Sequence, residues 1–295
     1  MTGPAAPPGL PNASVDSAGA VAAEVPCRKC GYNLRGLPVA GRCPECGSAV
    51  GLSVHGNLLR FSDPAWVRKL RRGAKFIVFG VATIFLGIIL TLVLALAIQS
   101  PQAAAVAPLA AIAGYGLILA GTWQLTEPDP SGLGEKEYGT ARKVIRVALV
   151  IGVLNLVMSL VRLAAVLPPT IRVAFDIIGF AAGVIAVVGF VAQLHYLRKL
   201  SLRIPDAALA DRAQSLKYGI GIPYGLTLLL SVIMNFVGGP GTVGTFGCAS
   251  GIVGLVFLVF FLIYLRMLDR LALRFREESA VAQQTWASAE AVAQA

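Results

Sequence analysis

Charged residues are scarce in this sequence of 295 residues: Asp, Glu, Lys and Arg make up 14%, against about 25% in soluble domains. Hydrophobic residues make up 56%, and the mean hydropathy is +0.75. This composition excludes an ordinary soluble protein. It predicts an all-α membrane protein with several transmembrane helices.

Residues that carry common enzyme chemistry are also few. His55 and His195 are predicted to lie in a linker and at the inner end of a transmembrane helix, so they cannot share a metal. Ser250 is separated from His195 by on the order of 20 Å in depth, which excludes a nucleophilic dyad. Asp176 is the only acid deep in a predicted span, whereas an aspartyl protease needs two. Since Walker, dinucleotide-binding and HExxH motifs are absent, the sequence predicts no enzyme.

The N-terminal region lacks the marks of a cleaved signal peptide. Residues 1–25 have neither a cationic start nor an apolar core segment, and are predicted to be a disordered tail. A disulfide framework is not expected either, because four of the five cysteines form one cluster and Cys248 lies alone in an apolar run. Such thiols favour a reducing compartment.

Two CxxC pairs, Cys27/Cys30 and Cys43/Cys46, are separated by twelve residues. This spacing can bring four thiolates to one tetrahedral Zn²⁺, because each turn directs both of its sulfurs to the same point. We predict a zinc ribbon over residues 26–50, a β-hairpin with two zinc knuckles. The metal is predicted to be structural, since all four ligands come from the protein, and to supply roughly 10–16 kcal/mol of folding energy.

The motif CRKCGYNLRGLP over residues 27–38, followed by CPECG over residues 43–47, resembles the N-terminal ribbon of a group of bacterial membrane proteins. These multi-pass proteins are mostly uncharacterised and carry the pattern CxxCGYxLRGL…CPxCG. The resemblance covers only the ribbon; it implies that the four cysteines are zinc ligands and implies no activity for the membrane part. Asn33 stands where Asp is frequent in that pattern, outside the ligands.

Residues 51–62 are predicted to be a flexible linker that ends in a helix start. Ser62-Asp63-Pro64 supplies a capping side chain and a proline at the first helical position. The helix over residues 63–72 is predicted to lie along an anionic bilayer surface. Alternatively, it is the cytoplasmic end of the first spanning helix. The residues expected at the membrane surface are Trp66, Arg68, Lys69, Arg71 and Arg72.

Six apolar stretches then follow, each long enough to cross a hydrocarbon core of roughly 30 Å. Basic residues cluster before the first, after the second, after the fourth and after the sixth, which accounts for much of the net charge of +10. The positive-inside rule therefore predicts three hairpins in the cytoplasmic membrane with both termini cytoplasmic. The bundle is predicted over residues 73–268, with spans at about 75–98, 104–125, 144–167, 171–197, 218–237 and 244–265. A cytoplasmic tail is predicted over residues 269–295, of which residues 277–295 are either a frayed continuation of the sixth helix or disordered.

A few polar residues lie inside these spans. Arg162 and Asp176 are predicted at similar depth on neighbouring antiparallel helices, and Arg172 lies one helical turn from Asp176. They form either a structural ion pair or a proton or ion relay. Asn155 and Ser159 share a helix face with Arg162 and either hydrogen-bond to a neighbouring helix or line a wet cavity.

These features predict a membrane-anchored interaction or scaffold module whose ribbon binds a cytosolic protein. The alternative is a small-solute transporter or channel that uses the polar region around Asn155 and Asp176. GxxxG pairs such as Gly179/Gly183 favour close helix contacts within the bundle or in a homo-oligomer. Nucleic-acid binding by the ribbon is the weakest hypothesis, because it has four cations and only Tyr32 as an aromatic platform. The four cations are Arg28, Lys29, Arg35 and Arg42.

Overall fold

The computed structural model describes residues 15–54, 58–98, 105–132, 134–164, 168–204, 206–237 and 243–292. Helices make up 78% of these described residues, and no strand occurs among them. A short 3₁₀ turn, Leu59–Phe61, lies between the first two α-helices of the chain. The helices are α1 (Gly51–Val54), α2 (Pro64–Ile98), α3 (Val106–Leu125), α4 (Glu135–Ala164), α5 (Pro169–Ser201), α6 (Ala207–Val237) and α7 (Val243–Val292).

Five of the long helices, α2, α3, α4, α5 and α7, are long and apolar enough to cross a membrane. Only 11–22% of the residues in their most apolar stretches are buried inside the protein, so most of these side chains face outward. The protein is therefore built as a membrane protein. Six spans were predicted; the stretch 218–237 in α6 is not among these five, since its side chains beyond residue 230 lie outside the part of the chain that the structure describes.

Several helices extend beyond the predicted spans, always at the end of the bundle where the basic residues cluster, here called the basic end. Helix α2 begins at Pro64 rather than near residue 75, and α6 begins at Ala207 rather than near residue 218. Helix α7 continues to Val292, so most of the predicted tail 269–295 is helix. Its 50 residues span roughly 75 Å, more than twice the hydrocarbon thickness.

The start of α2 differs from the predicted surface helix. Asp63 caps it, because its Oδ1 accepts a hydrogen bond from the backbone N–H of Ala65 at 2.7 Å. The helix then continues without interruption to Ile98, and Val67 and Leu70 are fully buried. Residues 63–72 are therefore the first turns of the spanning helix, packed against protein on one face.

The six long helices form a ring in chain order. Helix α2 packs against α3 and α7, α5 packs against α4 and α6, and α6 packs against α7. A smaller contact between α3 and α4 closes the ring. The partners of each predicted hairpin are thus neighbours in this ring.

Glycines bring α2 and α3 into close contact. Gly73 and Gly80 of α2 are seven residues apart. A Cβ on Gly80 would lie 2.6 Å from the carbonyl oxygen of Gly114, and one on Gly73 would lie 2.6 Å from that of Gly121. The two backbones can approach this closely only because no side chain intervenes.

The packed core lies at the basic end. Leu70 of α2, Leu125 of α3 and Leu200 of α5 are fully buried in one hydrophobic cluster to which α4, α6 and α7 also contribute. Near the opposite end, large apolar side chains such as Leu96 and Ile171 are 74% and 44% exposed. The protein thus holds its helices together at one end and presents an apolar belt to its surroundings.

Candidate metal centre

The two CxxC turns have the same backbone geometry. In the first, the N–H of Cys27 donates to the carbonyl of Tyr32 at 2.7 Å, and the N–H of Gly31 donates to the carbonyl of Cys27 at 2.8 Å. In the second turn, the N–H of Cys43 donates to the carbonyl of Ser48 at 2.8 Å, and the N–H of Gly47 donates to the carbonyl of Cys43 at 2.9 Å. Gly31 and Gly47 have φ of 79° and 71°, a conformation that glycine adopts without steric cost.

These turns place the four sulfur atoms together. Sγ of Cys27 lies 3.6 Å from that of Cys46, and Sγ of Cys30 lies 3.7 Å from that of Cys43. All four lie within 4.8 Å of one another. A disulfide would need about 2.05 Å, whereas metal–sulfur bonds of about 2.3 Å give a tetrahedron with edges of about 3.8 Å. The cluster therefore has the size and donor set to hold a metal ion.

The surroundings act differently on the thiols: burial is the main cause that raises the pKa of Cys27 and of Cys30, whereas the pKa of Cys46 is lowered. Cys27 and Cys43 are buried, whereas Cys30 is exposed. At Cys46, burial acts to raise the pKa, but hydrogen bonds with Ser48 and the neighbouring thiols outweigh it and lower the pKa to about 7. The thiolate is the form that binds metals, so a cysteine that ionises near neutral pH is well prepared as a ligand.

The backbone around the turns is not the predicted β-hairpin. Leu34, between the two pairs, is fully buried and donates its N–H to the carbonyl of Val25; Val39 donates to the carbonyl of Gly19. The segment between the pairs therefore bonds to residues 19–25, which were predicted to be disordered. Residues 1–14 of that predicted tail lie outside the described ranges. Within the described residues the module has isolated antiparallel bridges only: Val15–Val21, Ala20–Pro38, Pro26–Asn33 and Arg42–Ala49.

This cysteine module, residues 15–54, is docked on the basic end of the bundle. The backbone N–H of Arg28 donates to Ser53 Oγ at 3.1 Å, and its guanidinium lies 5.8 Å from the ring centre of Phe61. Burial, and then the charge of Arg203, lower the pKa of Arg28 to about 10. Only 2% of Arg28 is exposed, so this residue cannot serve the nucleic-acid contact considered above.

Helix α7 holds the segment that joins the module to α2. Trp286 packs against Ala49 and Leu52, and its Nε1 donates to the carbonyl of Phe61 at 3.3 Å. Arg60 forms an ion pair with Glu278 at 3.2 Å. The segment 51–62, predicted to be a flexible linker, is thus packed where it is described: α1 and the 3₁₀ turn both contribute buried side chains.

A buried ion pair lies beneath the module, and the sequence did not predict it. Arg203 Nη2 lies 2.7 Å from Asp129 Oδ2, and the two side chains are 3% and 1% exposed. Arg203 also donates to Tyr138 Oη at 3.1 Å and to Ser62 Oγ at 3.0 Å. Burial acts to lower the pKa of Arg203, but Tyr138 and Asp129 outweigh it and the pKa is raised. Arg203 therefore stays charged and links the ends of α3 and α5 to the starts of α2 and α4.

No family model, curated protein or solved structure matches this chain. The resemblance of the ribbon motif to uncharacterised bacterial membrane proteins therefore stays an expectation. The chemistry of the site rests on its own geometry.

The residues predicted at the membrane surface divide into two groups. Trp66 is 3% exposed; its ring lies 5.3 Å from the Arg203 guanidinium, and its Nε1 donates to the carbonyl of Glu127 at 3.1 Å. It is a core residue, because its helix face is covered by the rest of the bundle. Lys69 is exposed and pairs with the Glu127 carboxylate at 2.6 Å. Arg68 and Arg72 are exposed and Arg71 is half-buried, so these cations can face a surface.

The polar residues inside the spans lie at the contact between α4 and α5. Arg162 Nη1 lies 2.7 Å from Asp176 Oδ1, with the side chains 38% and 47% exposed. Ser159 Oγ donates to the backbone carbonyl of Asn155, and a Cβ on Gly179 of α5 would lie 3.6 Å from Asn155 Oδ1. Arg172 is exposed. The partly exposed ion pair therefore joins the two helices, whereas the Ser159 hydrogen bond stays within α4.

Proposed function

We propose that the protein is a six-span protein of the cytoplasmic membrane with both termini cytoplasmic, capped by a zinc ribbon that binds a cytosolic protein partner. Five helices with the required length and apolar character support the membrane part, and the clustering of Lys and Arg in alternate connecting segments supports the orientation. The observation that carries the proposal is the set of four sulfur atoms within 4.8 Å.

The metal proposed for this site is a structural Zn²⁺. Four thiolates at tetrahedral separation are typical of structural zinc, and all four coordination positions come from the protein, which leaves none for a substrate. The module has a small core, built around Val21, Leu34 and Val50. Because so small a core contributes little folding energy, the metal would hold the module in its docked form.

The interaction role is supported by the way the module is docked. One side of it, with Arg28, faces the bundle, while Lys29, Tyr32 and Arg35 on other parts of its surface are exposed. Exposed tyrosine and arginine side chains are typical of protein-binding surfaces, which favours an interaction role for the module over simple anchoring. A partner would meet this surface in a fixed orientation, because the segment that joins it to α2 is packed.

The test compares three forms of the full-length protein: the wild type, a Cys27→Ser/Cys30→Ser variant, and a Tyr32→Ala/Lys29→Glu variant. Zinc content is measured by mass spectrometry after gentle solubilisation, and proteins retained on each form are compared by affinity purification. We expect zinc in the wild type and the surface variant only, and a specific partner on the wild type only. Absence of zinc from the wild type would reject the metal site. Equal partners on all three forms would reject the interaction role.

The transporter alternative has little support in the contacts of its residues. The Arg162–Asp176 ion pair joins α4 to α5, the Ser159 hydroxyl bonds within α4, and none of these residues or Asn155 lines the cavity inside the ring. Three of the four described GxxxG glycines have a neighbouring helix within 4 Å of their Cβ position: Gly179, Gly183 and Gly221, but not Gly225. A Cβ on Gly183 of α5, for example, would lie 2.9 Å from Leu228 of α6. A homo-oligomer therefore stays a prediction that these glycines do not require.

A further inference from the structure

The ring of helices encloses a cavity of about 450 Å³. Each of the six long helices contributes to its wall, and α4 does so with one continuous face formed by Ile145, Ala148, Leu149 and Gly152. Volumes of 300–1,000 Å³ are typical of sites that bind small molecules. The cavity is thus formed by all six long helices together.

The cavity lies in the half of the membrane nearer the basic end. Along α2 its wall runs from Ile77 to Phe85, about 12 Å at the helical rise, close to the depth of one leaflet of about 15 Å. Below it the fully buried Leu125, Leu194 and Leu197 belong to the packed core. The cavity is therefore closed toward the basic end, which favours the binding of a ligand over its transport across the membrane.

The wall is apolar and aromatic. Phe190 packs edge-on against Tyr264 with ring centres 5.1 Å apart, and Phe257 stacks on Phe261 at 5.6 Å. Polar groups on the wall are few and uncharged: the side-chain amide of Gln193 and the hydroxyl groups of Tyr115, Thr122, Tyr224 and Tyr264. Apolar cavities of this kind do not hold water well and accept hydrocarbon instead.

The position of the cavity indicates its occupant. Helices α3 and α4 make the least extensive contact between neighbours in the ring, and both line the cavity. The seam between them faces the lipid that surrounds the apolar belt. We propose that the ring binds one acyl chain of a membrane lipid, which enters from the leaflet at the basic end through this seam.

Glycine positions allow the cavity to be filled selectively. A Cβ on Gly152 would meet nothing within 4 Å, and Gly152 lines the cavity, so Gly152→Phe places a ring inside it. Gly116 of α3 also has open space around its Cβ, but it is exposed and absent from the cavity wall. Gly116→Phe is therefore a matched control. Ala186→Leu on α5 fills the cavity from another helix and serves if Gly152→Phe fails to fold.

The experiment uses full-length protein in phosphatidylethanolamine/phosphatidylglycerol vesicles that contain a phosphatidylcholine with a diazirine on one acyl chain. After irradiation, labelled peptides are quantified by mass spectrometry. We expect labelling of Tyr115 and Ile118 in the wild type, and about tenfold less labelling in Gly152→Phe, the factor for about 1.4 kcal/mol of lost binding. Gly116→Phe should match the wild type, and outward-facing Leu154 should be labelled equally in all forms.

Unlabelled cavity residues in the wild type, or equal labelling of these residues in folded Gly152→Phe and Ala186→Leu variants, would overturn the proposal. Zinc content, measured on the same samples, is expected to be unchanged by all three substitutions. Failure of the lipid proposal is thereby distinguished from failure of the metal site.

Discussion

The buried pair Arg203–Asp129 allows a strong prediction about stability. In Asp129→Asn, the amide oxygen can still accept the bonds that Asp129 Oδ1 receives from Ser131 N at 3.0 Å and Ser131 Oγ at 2.7 Å. The turn is therefore kept while the charge is lost. Arg203, 3% exposed on its side chain, then loses the charge of its carboxylate partner and keeps neutral contacts such as those with Tyr138 and Ser62. Removing one partner of such a pair costs about 3–5 kcal/mol of unfolding free energy.

A matched control lies two residues away in the same loop. Glu127 pairs with Lys69, but the side chains are 35% and 50% exposed, so Glu127→Gln should cost less than about 1 kcal/mol. Unfolding would be followed by far-UV circular dichroism during titration of mixed micelles with sodium dodecyl sulfate. The double change Asp129→Leu/Arg203→Met should recover much of the loss, because neither of the two positions then carries a buried charge. Equal small costs for Asp129→Asn and Glu127→Gln would refute the buried ion pair as a stabilising contact.

Three further predictions follow from the packing and from the metal centre. Gly80→Leu should destabilise the protein by about 1–3 kcal/mol in the same titration, because its Cβ would lie 2.6 Å from a backbone oxygen of α3. Gly116→Leu should leave stability unchanged, because the space around its Cβ is open. Equal effects of the two substitutions would contradict the close approach of α2 and α3. Trp286→Ala should cost about 3 kcal/mol and speed hydrogen exchange over residues 49–54, whereas Gln284→Ala at an exposed position of the same helix should not. Unchanged exchange in Trp286→Ala would show that α7 does not hold the module. Metal affinity, measured by competition with a chelator, should be at least about tenfold weaker at pH 6 than at pH 8, because the pKa of Cys46 in the metal-free protein is about 7 and protons compete with the metal below it. An affinity independent of pH would count against thiolate ligation.

Local patterns in the sequence predicted the local structure well. The spacing of Cys27, Cys30, Cys43 and Cys46 was enough to predict one cluster, because each turn fixes two sulfurs within a few residues. Long apolar runs predicted helices, since a chain inside a membrane must satisfy its own backbone hydrogen bonds. Asp63 predicted the start of α2, because its side chain accepts a hydrogen bond from the backbone N–H of Ala65, only two positions later.

The docking of the module could not be predicted from the sequence. Hydropathy measures apolar length, so it missed the polar turns of α7 beyond residue 265, which are helical because side chains such as Phe275 and Trp286 are buried. Asp129 and Arg203 lie in short loops 74 residues apart, and no spacing rule connects two loop residues. Their pairing follows from the ring, which brings the ends of separate hairpins together. The glycine pairs of α2 and α3 recur every seven residues rather than four, and so escape a search for GxxxG.

The packing of Trp286 against Leu52 has a consequence for the order of events during synthesis. The cysteine pairs leave the ribosome early, whereas Trp286 follows about 240 residues after Cys46, which is about 12–48 s later at 5–20 residues per second. The four thiols can therefore meet a metal ion long before their docking surface exists. A module loaded in this interval arrives at the finished ring already folded, so metal supply during translation would govern how quickly the whole protein matures.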